Sequence, residues 1–332
     1  MICMGQLPFE QKKRNILVKT NSETSEKFGK KPSERGVEEL INYGIVNIDK
    51  PDGPTSHQVS AYARDILHIN KAGHSGTLDP KVTGVLIVSL GNATRVSQSL
   101  LTSGKEYVCL MRLHKELDEE LIKKTMMEFV GRINQLPPKK SAVKREYRFR
   151  TVYYLEILEI NGKDVLFRVG TEAGTYIRKL CHDIGKKLEV GANMFELRRT
   201  KVGSFNEDTI CTLQELTDAY HFYKKEGNDT YLKKIVQPIE NAVEHLPKMW
   251  VMDTAVDSIC HGASLKVPGV VKLHDGIEPD MKIAVMTLKD ELVFTGMARM
   301  SSKMIIKENR GIAAKLEQVF MKVGTYPKIE KV

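Results

Sequence analysis

The chain has 332 residues, 41% hydrophobic and 28% charged, a balance that excludes disordered, collagen-like and small disulfide-framework classes and supplies material for two packed units. A net charge of +9 favours a polyanionic partner without naming one. The five cysteines form neither a C-x-x-C pair nor a Cys/His cluster, and no apolar run reaches ~18 residues, which sets aside structural zinc, a disulfide scaffold and a membrane span in favour of a cytoplasmic protein.

Residues 9–36 are polar, with Ile16-Leu17-Val18 as an apolar island that fits either a flexible arm or a strand docked far along the chain. From Gly44 the pattern alternates between strands and helices. Ile45, Val46 and Ile48 predict a short strand, and Thr55 or Ser56 can cap a helix whose apolar residues Val59, Ala63, Ile66 and Leu67 recur at helical spacing. Gly84–Leu90 reads as a buried strand. Between that helix and that strand lies Gly73-His74-Ser75-Gly76-Thr77-Leu78-Asp79-Pro80. Two glycines and a proline stiffen this turn around a single carboxylate, Asp79. The residues alone leave two roles open: a side chain that caps its own backbone, or a carboxylate aimed for chemistry.

Residues 105–113 alternate, with Tyr107, Cys109, Met111 and Leu113 on one face. A helix follows with Leu121, Ile122, Thr125, Met126 and Phe129 inward, then a loop from Gln135 to Arg145. A strand pair from Thr151 to Val169 turns at Asn161-Gly162, the signature of a type I′ turn, and a helix from Thr175 to Leu188 carries Arg178 in its first turn. Beyond Met249-Trp250, glycines and prolines punctuate short apolar runs such as Ile283–Met286 and Leu292–Phe294, which predicts a small β-barrel. Residues 312–321 fit helix or strand equally by periodicity. The organisation expected is an arm over 1–38, a mixed α+β domain over 39–245, a barrel over 246–325 and a tail over 326–332.

The octet at 73–80, followed by Thr83-Gly84-Val85-Leu86, resembles the active-site loop of the TruB and dyskerin family of pseudouridine synthases. Ile48-Asp49-Lys50-Pro51-Asp52-Gly53-Pro54-Thr55-Ser56, Lys105-Glu106-Tyr107, Gly174-Thr175-Tyr176-Ile177-Arg178-Lys179-Leu180 and Leu197-Arg198-Arg199-Thr200-Lys201-Val202-Gly203 look like further family motifs in the family's order. The segment past residue 245 resembles the family's RNA-binding PUA domain. The resemblance implies an α+β catalytic domain around a central mixed or antiparallel sheet, a C-terminal β-barrel PUA domain, and an N-terminal extension that packs on the latter. Turning uridine into its C-glycoside involves no redox step and no group gained or lost, so neither cofactor nor metal is demanded; one carboxylate beside sugar and base is.

By that resemblance Asp79 is the nucleophile, Arg178 its cationic partner in a water-poor cleft, and Tyr107 the plate for an everted base and an aid to proton transfer at C5. His74 lies near the flipped nucleotide, Lys50 and Pro51 form the pocket floor and support the catalytic loop, Leu197 is the apolar wall under the uracil, and Tyr176 is a further substrate- or RNA-binding residue. Gly262 and Ala263, within His261-Gly262-Ala263, meet RNA in the PUA domain. Arg198, Arg199 and Lys201 fit either phosphate contacts or a solvated basic face.

Within the family, two forms compete. Standalone TruB-like tRNA enzymes carry an insertion after the second motif, whereas this chain passes from Leu113 and His114 directly into an acidic helix. Ser141-Ala142-Val143-Lys144-Arg145 and the long arm look more like dyskerin and its archaeal counterpart, the catalytic subunit of box H/ACA guide particles; the absence of Lys-rich tails points to the archaeal form. The partners implied are a box H/ACA guide RNA, substrate rRNA or tRNA and small accessory proteins, with no membrane. Two other classes compare less well. A non-catalytic RNA-binding scaffold has no use for Asp79, Tyr107 and Arg178 together, and a hydrolase of free nucleosides has no use for an RNA-binding domain.

Overall fold

The computed structural model describes residues 5–137 and 144–328. Of the resemblance's Ser141–Arg145 block, Ser141, Ala142 and Val143 lie outside the described residues, as does part of the loop expected from Gln135 to Arg145 and the end of the expected tail.

Sixteen strands form two sheets among the described residues. Strand β1 (Ile16–Val18) comes first, followed by β2 (Gly44–Lys50), β3 (Ala72–His74), β4 (Thr83–Leu90), β5 (Lys105–Leu113), β6 (Gly131–Gln135), β7 (Arg148–Asn161), β8 (Asp164–Thr171), β9 (Ala192–Val202) and β10 (Val236–Pro238). Strands β2 to β10 make one sheet in the order β10-β2-β4-β9-β5-β8-β7-β6, with β3 paired to β4. Its ladders are antiparallel except for a short parallel contact of Thr83 and Gly84 with Arg198 and Arg199. That contact depends on Gly84: its φ is +97°, and a Cβ there would sit 2.2 Å from the Arg199 carbonyl oxygen.

The second sheet contains β11 (Lys248–Val251), β12 (Leu265–Lys266), β13 (Val270–His274), β14 (Lys282–Thr287), β15 (Leu292–Ala298) and β16 (Ile312–Val319), in the order β1-β13-β11-β14-β15-β16-β12. The 312–321 ambiguity resolves as strand. The apolar island at 16–18 is the edge strand here, antiparallel to β13 with Ile16 opposite His274 and Val18 opposite Lys272. A side-chain network fixes the rest of that segment: Thr24 and the Ser25 amide bond to Asp253, and Lys289 Nζ donates to the Phe28 carbonyl at 2.8 Å.

Local sequence explains the elements that carry the site. Helix Ser56–Ile66 begins at Thr55, whose hydroxyl accepts from the Gln58 amide while Gln58 reaches back to the Thr55 amide. Val59, Ala63 and Leu67 then bury one face of it against Val46, Ile48, Leu86 and Val88 of β2 and β4. In a separate cluster, Tyr107, Cys109, Met111 and Leu113 of β5 pack with Ile177, Leu180, Cys181 and Ile184 of helix Ile177–Lys187. A third apolar cluster joins the two sheets: Ile45, Val85 and Ile87 share it with Trp250, Met286, Leu292 and Phe320.

Several sequence-based expectations need correction. Leu121 is 47% exposed, because helix Glu119–Met127 turns Ile122, Thr125 and Met126 inward instead. The β7–β8 hairpin turns on Gly162-Lys163, with Asn161 paired to Asp164; only Gly162 has positive φ, so the turn is not type I′, which needs it at both central residues. Helix Leu213–Glu226 has no counterpart in the sequence reading, although Thr212 and Glu215 form a capping box and Gly227 closes it in the left-handed conformation.

Candidate active site

Asp79 sits on a turn that is fixed from behind by groups other than itself. The buried Ser56 hydroxyl accepts from the Leu78 amide at 2.8 Å and lies 3.3 Å from the Leu78 carbonyl. Lys50, with no exposed surface, donates through Nζ to the carbonyls of Pro51, Pro80 and Val82 at 2.8, 2.7 and 2.9 Å. The Gly53 amide meets the Pro80 carbonyl at 3.1 Å, the Val82 amide meets the Asp79 carbonyl at 2.9 Å, and Ser75 is tied to the Ile87 carbonyl. Leu78 and Val82, on either side of Asp79, enter the same apolar cluster as Tyr107, Ile177 and Leu180. One core therefore seats both the turn and the helix that brings Arg178.

The outcome is a direct ion pair: Arg178 Nη2 donates to Asp79 Oδ2 at 2.6 Å, across 99 residues of sequence. The pair is not in a water-poor cleft. The Asp79 side chain is 54% exposed and that of Arg178 60%. An exposed pair contributes only about 0–1 kcal/mol to folding, so the cost of a buried, unpaired carboxylate does not apply to this state of the molecule. The arrangement is a preset carboxylate and cation open to an incoming ligand.

Behind the turn the environment is dry. Tyr107 is 9% exposed and lies opposite Arg199 in the β5–β9 ladder, its hydroxyl within electrostatic reach of the guanidinium. Arg199, 1% exposed, donates to the Val85 carbonyl at 2.8 Å and the Gly76 carbonyl at 3.2 Å. Burial lowers its pKa, and Tyr107 opposes that shift. Lys105 donates to the carbonyls of Leu100, Leu101 and Ser103, and burial, reinforced by Arg199, pushes its ammonium down to about 7. Burial lowers the Lys50 pKa as well. Gly76, at φ +103°, brings the turn down on this layer: a Cβ there would face Arg199 Nη1 at 3.6 Å and Lys105 Cε at 3.7 Å.

His74 borders the turn with both ring nitrogens buried and without a hydrogen-bond partner. Its ring lies edge-on to His57 at 4.7 Å, and burial, then the charges of His57 and Arg199, push its pKa down to about 4. It is a neutral ring with unsatisfied polar atoms at the start of the catalytic loop.

The remaining expected site residues divide. Leu197 is half-buried on β9 opposite Cys109, packed against the core under Tyr107. Tyr176 precedes helix Ile177–Lys187, held by Gln135 through its amide at 3.0 Å and its carbonyl at 3.2 Å. Pro51 is exposed and lends its carbonyl to Lys50. The Lys50 ammonium points inward and is spent on three carbonyls, so it supports the loop from behind and is not free to meet RNA. The basic run is corrected, because Arg198 is clasped by Asp49 at 2.9 and 3.0 Å and by Glu207 at 2.6 Å, Lys201 pairs with Glu10 at 2.9 Å, and Arg199 is inside. Gly262 and Ala263 are exposed in the second sheet's domain, where a Cβ on Gly262 would meet nothing within 4 Å. Ser56, His57 and Arg199 in its buried role were missed. Ser56 and Lys105 stood inside quoted motifs, which was the available signal, but a motif does not tell which way a side chain turns.

Comparison with known proteins decides the family. The model for the TruB family pseudouridylate synthase N-terminal domain matches residues 64–120 and 114–177, and that for the tRNA pseudouridylate synthase B C-terminal domain matches 178–244. A DKCLD (NUC011) domain model matches residues 5–60 and a PUA domain model matches 247–320. The chain is 56% identical over 319 residues to the probable tRNA pseudouridine synthase B of Pyrococcus abyssi, covering 96% of each. The chain belongs to the TruB family of pseudouridine synthases. A second TruB-family relative, the probable tRNA pseudouridine synthase B of Nanoarchaeum equitans, is 54% identical over 323 residues, covering 97% of this chain and 92% of that one. Among solved structures, the fold superposes on a chain of a Cbf5-Nop10-Gar1 complex with a TM-score of 0.94 and 54% identity, covering 98% of this chain and 99% of that one. It superposes on a chain of an H/ACA RNP bound to a substrate RNA containing 2'-deoxyuridine with a TM-score of 0.91 and 52% identity, covering 97% and 99%. The chain is accordingly a pseudouridine synthase with a TruB-type catalytic domain and a C-terminal PUA domain. Among its described residues no helix is long and apolar enough to cross a membrane.

Proposed function

We propose that this chain isomerises uridine in RNA as the catalytic subunit of a box H/ACA guide particle, with Asp79 as the carboxylate that attacks at the target nucleotide and Arg178 as the cation that aligns it. The observation that carries this reading is the 2.6 Å Arg178–Asp79 pair on a turn whose backbone is fixed independently of it by Ser56 and Lys50. A preset carboxylate needs no reorganisation when substrate arrives. Because the pair faces solvent, the water-poor surroundings that sharpen its electrostatics come from the RNA itself, closing over the site as the pyrimidine swings out of its stack.

Tyr107 takes the role of base at C5, while Leu197 and Tyr176 frame the uracil. His74, with its unsatisfied nitrogens, receives the displaced or everted nucleotide. Gly262 and Ala263 belong to an open PUA surface over which the guide's backbone passes closely. The organisation that fits is an N-terminal arm over 1–38, whose strand β1 and Thr24–Phe28 segment lie on the PUA domain while Glu10 reaches Lys201 of the catalytic sheet, a catalytic domain over 39–245, the PUA domain over 246–325 and a short tail. Work on rRNA or tRNA in the cytoplasm, in ribosome biogenesis, goes with this reading.

Guide dependence is supported by the short step from β5 to helix Glu119–Met127, which leaves no room for an insertion that would hold tRNA unaided, and by the likeness to chains of H/ACA complexes. Nop10- and Gar1-like proteins are the accessory partners this implies. The printed names of the curated relatives favour a second reading, a standalone tRNA enzyme. RNA tritiated at uridine C5 separates them. Label release from a target only in the presence of its matching guide RNA is expected, whereas guide-free release from tRNA at a comparable rate would establish the standalone form.

A further inference from the structure

Arg199 is the largest fully buried side chain among the described residues. A guanidinium taken out of water is normally set against a carboxylate, because an uncompensated charge is costly in a low-dielectric interior. Arg35, 5% exposed, follows that rule, with its two terminal nitrogens on Glu240 at 2.7 and 2.8 Å. Arg199 does not. No described acid pairs with it; it donates to the Val85 and Gly76 carbonyls, and the Tyr107 hydroxyl lies within its electrostatic reach. The nearest buried carboxylate on β5, Glu106, is already engaged by Tyr154 at 2.5 Å and Thr200 at 2.7 Å. Of the Val85, Gly76 and Tyr107 groups, only the Tyr107 oxygen can become an anion.

We infer that Arg199 is a positioning residue for Tyr107, its charge held beside the phenolate that takes the C5 proton. This rests on the reading of Tyr107 as base. The register supports the link, since Tyr107 lies directly opposite Arg199 in the β5–β9 ladder. A guanidinium beside a phenol oxygen stabilises negative charge carried there during proton transfer. Tyr107 first yields its proton to water. The phenolate then removes the proton from C5 after the new carbon–carbon bond to the sugar has formed; the C5–H electron pair becomes the C5–C6 double bond, and N1 takes a proton from water. Because the same guanidinium holds the Gly76 carbonyl, base and catalytic turn keep a fixed relation.

The test uses the full chain with guide RNA and accessory proteins in single turnover, on target RNA bearing hydrogen or deuterium at uridine C5. Arg199→Gln is expected to slow isomerisation about 100-fold and to show a primary isotope effect larger than the parent's. Arg199→Lys, which keeps a cation, is expected to recover part of the rate. In a Tyr107→Phe background, Arg199→Gln is expected to add no more than about 2-fold, because both changes remove one device. Losses that multiply in the double variant, a slowed Arg199→Gln whose isotope effect is no larger than the parent's, or a parent-like rate in either Arg199 variant would each overturn the inference. Should Arg199→Gln fail to fold, the isotope effect in Arg199→Lys decides in the same way. A parent-like Tyr107→Phe would instead remove the base role itself, leaving Asp79 and Arg178 untouched.

Discussion

The two sides of the turn at residues 75–82 are built on opposite terms. On the solvent side, Asp79 and Arg178 form a single ion pair more than half exposed. On the inner side, Lys50, Lys105 and Arg199 are at most 6% exposed and bond chiefly to backbone carbonyls. The charges that meet RNA are left wet; the charges that face inward are kept dry. The difference teaches that folding and RNA contact can be separated here residue by residue: the outer groups contribute little to folding, and the inner groups little to contact with RNA.

The largest effect expected is on the outer side. Asp79→Asn should abolish tritium release, by more than about 10,000-fold, and Arg178→Ala should cost roughly 100-fold or more, while the melting temperature of each stays near the parent's because an exposed pair adds at most about 1 kcal/mol. A melting point lowered by many degrees in Arg178→Ala would break the contrast between the two sides.

The inner side should answer in the reverse sense. Lys50→Met leaves three carbonyls without their donor and should destabilise the fold by about 2–4 kcal/mol in denaturant titrations, with RNA affinity in the folded fraction unchanged. Lost RNA affinity with full stability would place Lys50 on the RNA surface after all.

Only part of this contrast was legible in the sequence. The strand–helix alternation, the octet and the pairing of Asp79 with Arg178 could be read because turn formers and apolar spacing encode local geometry, and because ordered motifs tie distant segments together. Direction could not. Lys50 and Arg199 carry the same letters as an RNA-facing cation, and nothing in their neighbours announces that β2 and β9 turn them inward. The water-poor cleft implied by the family resemblance is not formed by the chain alone: Leu78 is buried, while Asp79 and Pro80 on its C-terminal side are exposed. Leu121 was placed inward by its apolar character, yet the helical face is set by Ile122 and Met126. The partner of the 16–18 island was undecidable, since a three-residue edge strand has no stability apart from the sheet that receives it.

A smaller effect concerns pH. His74, His245 and His274 are each pushed down to about 4, mainly by burial, from 6.5. Their neutral forms are the native ones, so their contribution to stability is complete above about pH 6.5 and is lost as pH falls towards 4, where the unfolded chain takes up protons first. The melting temperature should therefore drop between pH 6.5 and 4, and His245→Gln, which keeps a donor towards the Ser99 carbonyl, should flatten that slope. An unchanged slope in His245→Gln would show that the low-pH loss arises elsewhere.

The smallest effect belongs to the PUA surface. Ala263→Glu adds a negative charge at an exposed position and should weaken guide binding about 10-fold at moderate salt without altering the single-turnover rate at saturation. Removing the whole segment from residue 249 is a poorer experiment, because Trp250, Met286 and Phe320 share a core with Ile45 and Val85, and the catalytic sheet would lose its packing along with the RNA site.

The most direct measurement is the solvent accessibility of the Asp79 and Arg178 side chains in the assembled particle before and after the target RNA binds, read from structures of both states. A site that is preset and completed by RNA predicts that the pair becomes buried on binding while the backbone of residues 75–82 stays in place on Ser56, Lys50 and Arg199. A pair still open to water with the target nucleotide everted, or a turn that moves to meet it, would contradict that claim.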